Sequence, residues 1–189
     1  MRIGIFGGTF NPIHIGHLIA ARRAQEKLRL DKVIFVPSYL PPHKSSKNVV
    51  DAKHRFNMVS LAVEEDEDFV VEDFEVKRKQ RSYSIETVNF LKERYPENTK
   101  LYFLIGEDIL ATLSRWKCIE ELLAKVTFAA IYRPGCKEFS SKIKVQPVPM
   151  SGLDVSSSEI RKKIHQNKNV KYLLPEVVLR YLYKKKLYN

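Results

Sequence analysis

The sequence predicts a doubly wound α/β fold, in which a mostly parallel sheet carries helices on both faces. Two observations lead to this prediction: apolar β-type runs alternate with amphipathic helical runs along the chain, and several strands are apolar on both faces. The run Val33-Ile34-Phe35-Val36 shows the second feature, which is typical of a parallel strand covered by helices on either side. In such sheets ligands bind beyond the carboxyl ends of the strands, so we expect the functional residues there.

Periodicity and local capping signals define the individual elements. Asp51 can cap the second helix, on which Phe56, Val59 and Val63 form an apolar stripe, and Pro175 suits the first turn of the last helix. The longest polar breaks, residues 39–48 and 77–82, are candidates for substrate loops. The predicted strands are 2–6, 32–36, 69–76, 101–105, 126–132 and 143–148, and the predicted helices are 15–28, 51–64, 85–94, 109–113, 120–124, 157–166 and 176–185.

Length and composition indicate one domain over residues 1–189, because a chain of 189 residues with 44% hydrophobic residues can bury a proper core. No signal peptide is predicted, and no apolar run approaches the ~20 residues that cross a bilayer. Cys118 and Cys136 show no disulfide framework, so both are interpreted as structural thiols. These features predict a cytoplasmic protein with no membrane partner.

The formal charge of +11 is concentrated near the end of the chain, where residues 161–189 contain nine Lys/Arg against one acidic residue. Such a segment can bind nucleic acid or a membrane, or it can be a solvated surface beside a pocket for a polyanionic small molecule. Its tyrosines share a helical spacing with apolar residues, which predicts core contact for Tyr172, Tyr181, Tyr183, Val177 and Leu182. The sequence therefore favours a small anionic ligand, and no nucleic acid is expected as the principal partner.

The first strand runs directly into an anion-binding sequence, residues 7–17 (GGTFNPIHIGH). Gly7 and Gly8 permit a turn with positive φ and a close approach of phosphate to the backbone, while Gly16 leaves room beside the first helical turn. The following helix N-terminus favours negative charge, and an imidazole from His14 or His17 can donate an N–H to oxygens that gain charge during phosphoryl transfer.

A second anion-binding sequence begins the helix predicted at 157–166. Ser156, Ser157 and Ser158 can cap this helix and present hydroxyls beside its free N–H groups, and Arg161 follows one turn later. The chain contains no G-x-x-x-x-G-K-[ST], G-x-G-x-x-G or H-E-x-x-H pattern. No acidic residue or cysteine close in sequence completes a metal site with the two histidines, so no protein side chain is predicted to ligate a metal.

These two sequences resemble the T/H-x-G-H and I-S-S-T-x-I-R motifs of the nucleotidylyltransferase superfamily, here read as His14-Ile15-Gly16-His17 and Val155 to Arg161. Further segments, residues 41–44 (PPHK), 82–87 (SYSIET), 105–108 (IGED) and 115–117 (RWK), make the chain similar to bacterial nicotinate-mononucleotide adenylyltransferases. The resemblance implies a Rossmann-like nucleotidylyltransferase fold and AMP transfer from ATP to nicotinate mononucleotide, giving deamido-NAD and pyrophosphate. It implies in-line attack without a covalent intermediate, with Mg²⁺ carried by ATP.

The same resemblance assigns roles to individual residues. His17 and His14 would be catalytic, and the ATP site would comprise Gly7, Gly8, Thr9, Phe10, His14, His17, Ser156, Ser157, Ser158 and Arg161. Trp116 would stack on the pyridine ring, and N–H groups near Ser84 and Lys117 would meet the nicotinate carboxylate. Asp108 would hold a ribose hydroxyl, and His43, Lys44 and Arg133 would contact phosphates. The chain departs from the family pattern at Ser84, Glu86 and Lys117, where Thr, Asp and Tyr are usual.

Two alternatives stay open on the sequence. One is a related adenylyltransferase that acts on phosphopantetheine or on the amidated mononucleotide. The other is a basic nucleic-acid-binding module that keeps the same fold. The oligomeric state is open as well, a homodimer included.

Overall fold

A computed structural model of the protein describes residues 1–40, 49–132, 143–150 and 152–188. Within these ranges the strands are β1 (Arg2–Gly8), β2 (Lys32–Pro37), β3 (Phe69–Val71), β4 (Lys100–Gly106), β5 (Thr127–Tyr132) and β6 (Gln146–Pro149). The helices are α1 (Ile15–Leu28), α2 (Ala52–Val63), α3 (Phe74–Arg78), α4 (Ser84–Arg94), α5 (Glu107–Leu110), α6 (Ile119–Lys125), α7 (Ser157–His165) and α8 (Glu176–Lys184), with a 3-10 turn at Leu113–Arg115.

The sheet is parallel throughout its described strands and has the order β3-β2-β1-β4-β5-β6. From β1 the strands are added in one direction across the sheet up to β3, and from β4 onward they are added in the other direction. In such a sheet the ligand crevice lies between the two strands where the order reverses, here beyond Gly8 and Gly106 at the ends of β1 and β4. The doubly wound α/β prediction is confirmed.

Two hydrophobic layers cover the sheet, one on each face. In β2, Val33 and Phe35 belong to the layer that contains buried residues of α1, α2, α7 and α8, whereas Ile34 and Val36 belong to the layer of α4 and α6. Because side chains alternate across a strand, a strand buried on both faces must be apolar at every position. This is the physical reason that the run 33–36 reads as continuous hydrophobic sequence.

Several local predictions are confirmed. α1 spans Ile15–Leu28 as expected, and Asp51 caps α2 by accepting a hydrogen bond from the Lys53 backbone N–H at 2.8 Å. Pro175, predicted for the first turn of the last helix, lies one position earlier, at the N-cap of α8. No helix in the described part of the chain combines the length and apolar character needed to cross a membrane.

The strand predicted at 69–76 is wrong in its second half. β3 ends at Val71, and residues 74–78 form α3, so the polar break predicted to begin at residue 77 begins inside a helix. Phe74 at the start of α3 stacks on Phe90 of α4, with ring centroids 4.2 Å apart. This contact between separate segments favours the helical turn over continuation of a short edge strand.

Two predicted apolar faces are also wrong in detail. On α2 Val59 and Val63 are buried as predicted, but Phe56 is only partly buried, and the buried face also contains Arg55 and Met58. Near the end of the chain Leu182 is buried, but Tyr172 is 81% exposed, and Tyr183 and Val177 are also exposed. Helical spacing with an apolar residue therefore does not place these three side chains in the core.

Candidate active site

A cavity of about 670 Å³ opens at the carboxyl ends of β1 and β4. Another cavity, of about 760 Å³, lies beside α6 and β6, and none of the described residues predicted for the site lines it. The first cavity is lined by every residue predicted to bind ATP: Gly7, Gly8, Thr9, Phe10, His14, His17, Ser156, Ser157, Ser158 and Arg161.

The turn that follows β1 differs from its predicted conformation. Gly7 and Gly8 are the last residues of the strand, and the positive φ falls instead on Phe10, at 47°. The Phe10 ring is buried and contacts Phe6 and Phe35 at centroid distances of 5.7 and 5.8 Å. This packing offsets the unfavourable positive φ of the residue. Gly8 is needed for a steric reason, since a Cβ there would lie 2.9 Å from the Phe10 ring.

The two histidines form one unit at the start of α1. Their rings stack with centroids 3.7 Å apart, and the backbone N–H of His14 donates to Nδ1 of His17 at 3.2 Å. Because Nδ1 of His17 is an acceptor, the proton of its neutral imidazole resides on Nε2. The side chain that Gly16 lacks would meet the His14 ring at 3.0 Å, so glycine at this position makes room for His14.

The serine sequence at the start of α7 packs directly against the turn after β1. Ser156 Oγ caps α7 by accepting from the Glu159 N–H at 3.2 Å, and Ser157 Oγ donates to the Pro12 carbonyl at 2.8 Å. Arg161 donates to the Asn11 carbonyl at 2.7 Å and to Ser158 Oγ at 3.2 Å. Two motifs about 140 residues apart in sequence thus share one wall of the cavity.

Two acidic residues at the start of α5, directly after β4, line the same cavity. Asp108, predicted as a ribose contact, lines the cavity at the first turn of α5, together with Glu107. A Cβ at Gly106 would lie 2.5 Å from Oδ1 of Asp108, so only glycine at 106 leaves room for this carboxylate position. No three His, Cys, Asp or Glu side chains of the described ranges form a metal-binding group.

The residues predicted for the nicotinate ring form a separate group, and none of them lines the cavity. Trp116 is partly buried and makes edge contacts with Phe103 and Phe128 at 5.6 and 6.0 Å. The Lys117 ammonium lies 4.2 Å from the centroid of the Tyr83 ring, which brings residues 116–117 next to the start of α4, where Ser84 lies. The predicted phosphate contacts His43, Lys44 and Arg133 lie outside the described residues.

Glu86, whose departure from the family pattern left its role open, caps α4. Its carboxylate accepts from the Tyr83 N–H at 2.8 Å and from Arg78 at 3.0 Å. Desolvation raises the pKa of Glu86, but the Tyr83 N–H and the Arg78 guanidinium outweigh it and leave that pKa below its usual value. Glu86 thereby fixes the backbone beside Ser84.

Sequence reasoning missed three polar residues around the turn after β1, namely the buried Asn11 and Arg55 and the partly buried Tyr188. Asn11 lines the cavity, and Arg55 and Tyr188 contact the turn from outside it. One signal was available: Arg55 occupies the apolar face of α2, three residues before the buried Met58. A charged residue at such a position indicates a buried hydrogen-bonding role.

The fold and the cavity define a nucleotide-binding α/β protein, because a helix N-terminus, an imidazole donor and a guanidinium converge at the point where strand order reverses. Comparison with known proteins narrows this class. The profile of the family described as cytidylyltransferase-like matches residues 5–163.

Proteins named "Probable nicotinate-nucleotide adenylyltransferase" match nearly the whole chain. The one from Exiguobacterium sibiricum is 43% identical over 179 residues, covering 94% of each chain. The one from Bacillus pumilus is 40% identical over 187 residues, covering 99% of this chain and 98% of the relative. The chain belongs to the cytidylyltransferase-like family and, within it, to the nicotinate-nucleotide adenylyltransferases, which are nucleotidyltransferases.

The fold agrees with this membership. The structure of Plasmodium falciparum nicotinic acid mononucleotide adenylyltransferase complexed with NaAD superposes with a TM-score of 0.81 at 22% identity, covering 99% of this chain and 97% of that chain. The same enzyme complexed with APC gives a TM-score of 0.79. At this level of identity, the comparison concerns the fold alone.

Proposed function

We propose where this nicotinate-nucleotide adenylyltransferase binds its two substrates and how it transfers the adenylyl group between them. The reaction of NAD biosynthesis combines ATP and nicotinate mononucleotide to give nicotinate adenine dinucleotide and pyrophosphate. One observation best supports this proposal: the turn after β1, the histidine pair and the start of α7 together form one wall of the cavity. These groups offer N–H, hydroxyl and guanidinium donors to one polyanionic ligand.

In this proposal the phosphates of ATP lie along the turn at Gly7, Gly8, Thr9 and Phe10 and against the start of α7. The mononucleotide phosphate attacks the α-phosphorus in line, so no Ser, Cys or Lys intermediate forms. His17 donates its Nε2–H to an α-phosphate oxygen whose charge rises in the transition state, and His14 orients His17 through the N–H to Nδ1 bond. The protein acts by positioning and by charge stabilisation.

Mg²⁺ is proposed to enter on the phosphates of ATP and to neutralise part of their charge when bound. Glu107 and Asp108 line the cavity, and their negative charge fits a cation carried there on phosphates, although the described residues include no group of three metal-ligating side chains. Phosphate oxygens and water then supply the ligands, and no protein side chain has to serve as one.

The nicotinate mononucleotide is proposed to bind beside the group around Trp116. Its pyridine ring stacks on Trp116, its carboxylate meets N–H groups near Ser84 and Lys117, and a ribose hydroxyl meets Asp108. Support comes from the contact that brings Lys117 to Tyr83 and places a positive charge near the start of α4. His43, Lys44 and Arg133 stay proposed phosphate contacts.

The proposed setting is the cytoplasm, without nucleic acid or a membrane as partner. The thiol of Cys118 is exposed and free, which suits a reducing compartment. A homodimer stays a proposal.

The decisive experiment measures pyrophosphate release from MgATP with nicotinate mononucleotide, nicotinamide mononucleotide or phosphopantetheine as acceptor, and with no acceptor as control. We expect the fastest release with nicotinate mononucleotide. Faster release with either other acceptor would overturn the substrate assignment. A parallel salt titration with duplex DNA should give only weak, nonspecific affinity, with a Kd of roughly 10⁻⁴–10⁻⁶ M at physiological salt.

A further inference from the structure

The turn formed by residues 9–12 is held in place by hydrogen bonds to Asn11. Oδ1 of Asn11 accepts from the Tyr188 hydroxyl at 2.8 Å and from the Val50 N–H at 3.2 Å, and its carbonyl accepts from Arg161 at 2.7 Å. Asn11 is only 5% exposed, so its hydrogen bonds form away from solvent. Its position is therefore set by segments 39, 150 and 177 residues away in sequence.

Arg55 holds the same turn from α2. Its side chain is completely buried, and its guanidinium donates through Nε to Val50 O at 2.8 Å, and through its two terminal nitrogens to Thr9 O at 2.7 Å and Tyr39 O at 2.8 Å. Desolvation lowers the pKa of Arg55, because burial disfavours the charged form of the guanidinium. The guanidinium donates to the three carbonyls from three separate nitrogens in a rigid fork, whereas lysine carries all of its N–H donors on one atom and cannot reproduce this spacing.

Tyr188 reaches the turn from the end of the chain. The neighbouring Leu187 is buried in the core layer of α1 and α2, and this burial fixes the approach of the tyrosine. Desolvation raises the pKa of the Tyr188 hydroxyl, although Arg161 and Arg55 lower it, so the group is a neutral hydrogen-bond donor at physiological pH. Neither Tyr188 nor Arg55 is among the residues that line the cavity.

We propose that Arg55 and Tyr188 are positioning residues for adenylyl transfer, which act by holding the turn at residues 9–12 in the conformation that receives the phosphates of ATP. Arg55 also bonds to Val50, whose N–H bonds to Asn11 and whose neighbour Val49 lines the same cavity. The inference rests on the proposed function. Its physical basis is that small displacements of substrate-contacting backbone cost much more activity than stability.

A matched pair of tyrosine variants tests the role of Tyr188. Tyr188→Phe removes the hydroxyl that bonds to Asn11 and keeps the ring. Tyr181→Phe is the control, because it removes a hydroxyl bonded to His54 at 2.8 Å and to Asn57 at 3.0 Å, and neither partner belongs to the turn. The Kd of MgATP is measured by calorimetry, and kcat and KM by pyrophosphate release, well below the Tm of each variant.

We expect Tyr188→Phe to weaken MgATP binding and to lower kcat/KM for ATP about three- to tenfold, the effect of losing one hydrogen bond from a preorganised turn. Tyr181→Phe should stay within about twofold of the parent protein in both quantities, even where the two variants lose similar Tm. Parental values for Tyr188→Phe, or equal losses in both variants, would overturn the proposal.

Arg55→Lys tests the second residue, with Arg22→Lys as control, because Arg22 forms a half-exposed pair with Asp68 at 3.0 Å. We expect Arg55→Lys to lower kcat/KM for ATP by about tenfold or more and Arg22→Lys to leave it unchanged. A fully active Arg55→Lys variant would remove Arg55 from the proposal. Failure of the proposed function can be told apart from failure of this positioning proposal. In the first case the parent protein itself would bind MgATP without releasing pyrophosphate in the presence of nicotinate mononucleotide.

Discussion

His17 has two separable tasks, one at each ring nitrogen, and a single substitution can distinguish them. Nδ1 accepts the His14 N–H at 3.2 Å, which is the reciprocal half of a capping arrangement at the start of α1. Nε2 carries the proton that we propose to meet the α-phosphate. The Asn side chain reproduces the acceptor near Nδ1 but has no donor at the Nε2 position, so His17→Asn removes only the second task.

The expected magnitudes follow from these contacts. Losing one donor to a developing oxyanion costs ~10²–10³ in turnover, or about 2.7–4 kcal/mol, whereas losing a helix cap costs about 1 kcal/mol of stability. In a protein of this size, 1 kcal/mol corresponds to a Tm change of about 2–4 °C. We therefore expect His17→Asn to lose turnover at nearly parental Tm, and His17→Ala to lose the same turnover together with about 2–4 °C of Tm.

The assay is steady-state pyrophosphate release at saturating MgATP and nicotinate mononucleotide, accompanied by thermal unfolding. His165→Asn, on the exposed side of α7, is the control and should match the parent protein in both measurements. The KM for ATP should change far less than kcat, because the proposed bond strengthens in the transition state. Turnover of His17→Asn within about threefold of the parent value would refute this role for Nε2.

Three further predictions concern the group around Trp116 and the cap of α4. Trp116 is the single tryptophan of the chain, so its fluorescence should change on addition of nicotinate mononucleotide, and Trp116→Ala should raise the KM for the mononucleotide about two- to tenfold with little change for ATP; a silent titration at saturating ligand would count against stacking. The parent protein should prefer the acid mononucleotide over the amide by roughly one to two decades in kcat/KM, and Lys117→Ala should reduce that preference only partly; equal values in the parent would contradict the proposed carboxylate contacts. Glu86→Gln should lower Tm at pH 7 by about 2–4 °C, and because the folded-state pKa of Glu86 is depressed, the stabilisation by its carboxylate is present above the unfolded-state pKa and is lost as pH falls through the folded-state pKa. A Tm difference between parent and variant that does not shrink in acid would show that the carboxylate charge is not responsible.

The sequence by itself determined the fold class and most element positions. The continuous apolar run 33–36 and the alternation of strands with amphipathic helices required a parallel sheet covered on both faces. Local signals were sufficient for the limits of α1 and for the Asp51 cap, because periodicity and capping involve residues within a few positions of one another. The two anion-binding motifs were readable for the same reason, since each is a short strand-to-helix or loop-to-helix sequence.

The tertiary structure alone decided how these motifs meet and what holds them. Ser157 and Arg161 donate hydrogen bonds to the main-chain carbonyls of Pro12 and Asn11. Every residue has such a carbonyl, so the sequence carries no signature of the acceptor. The same holds for the carbonyls bound by Arg55. Contacts of this kind depend on the packing of segments far apart in the chain. Only the tertiary structure shows that α2, α7 and the end of the chain all pack against the turn after β1.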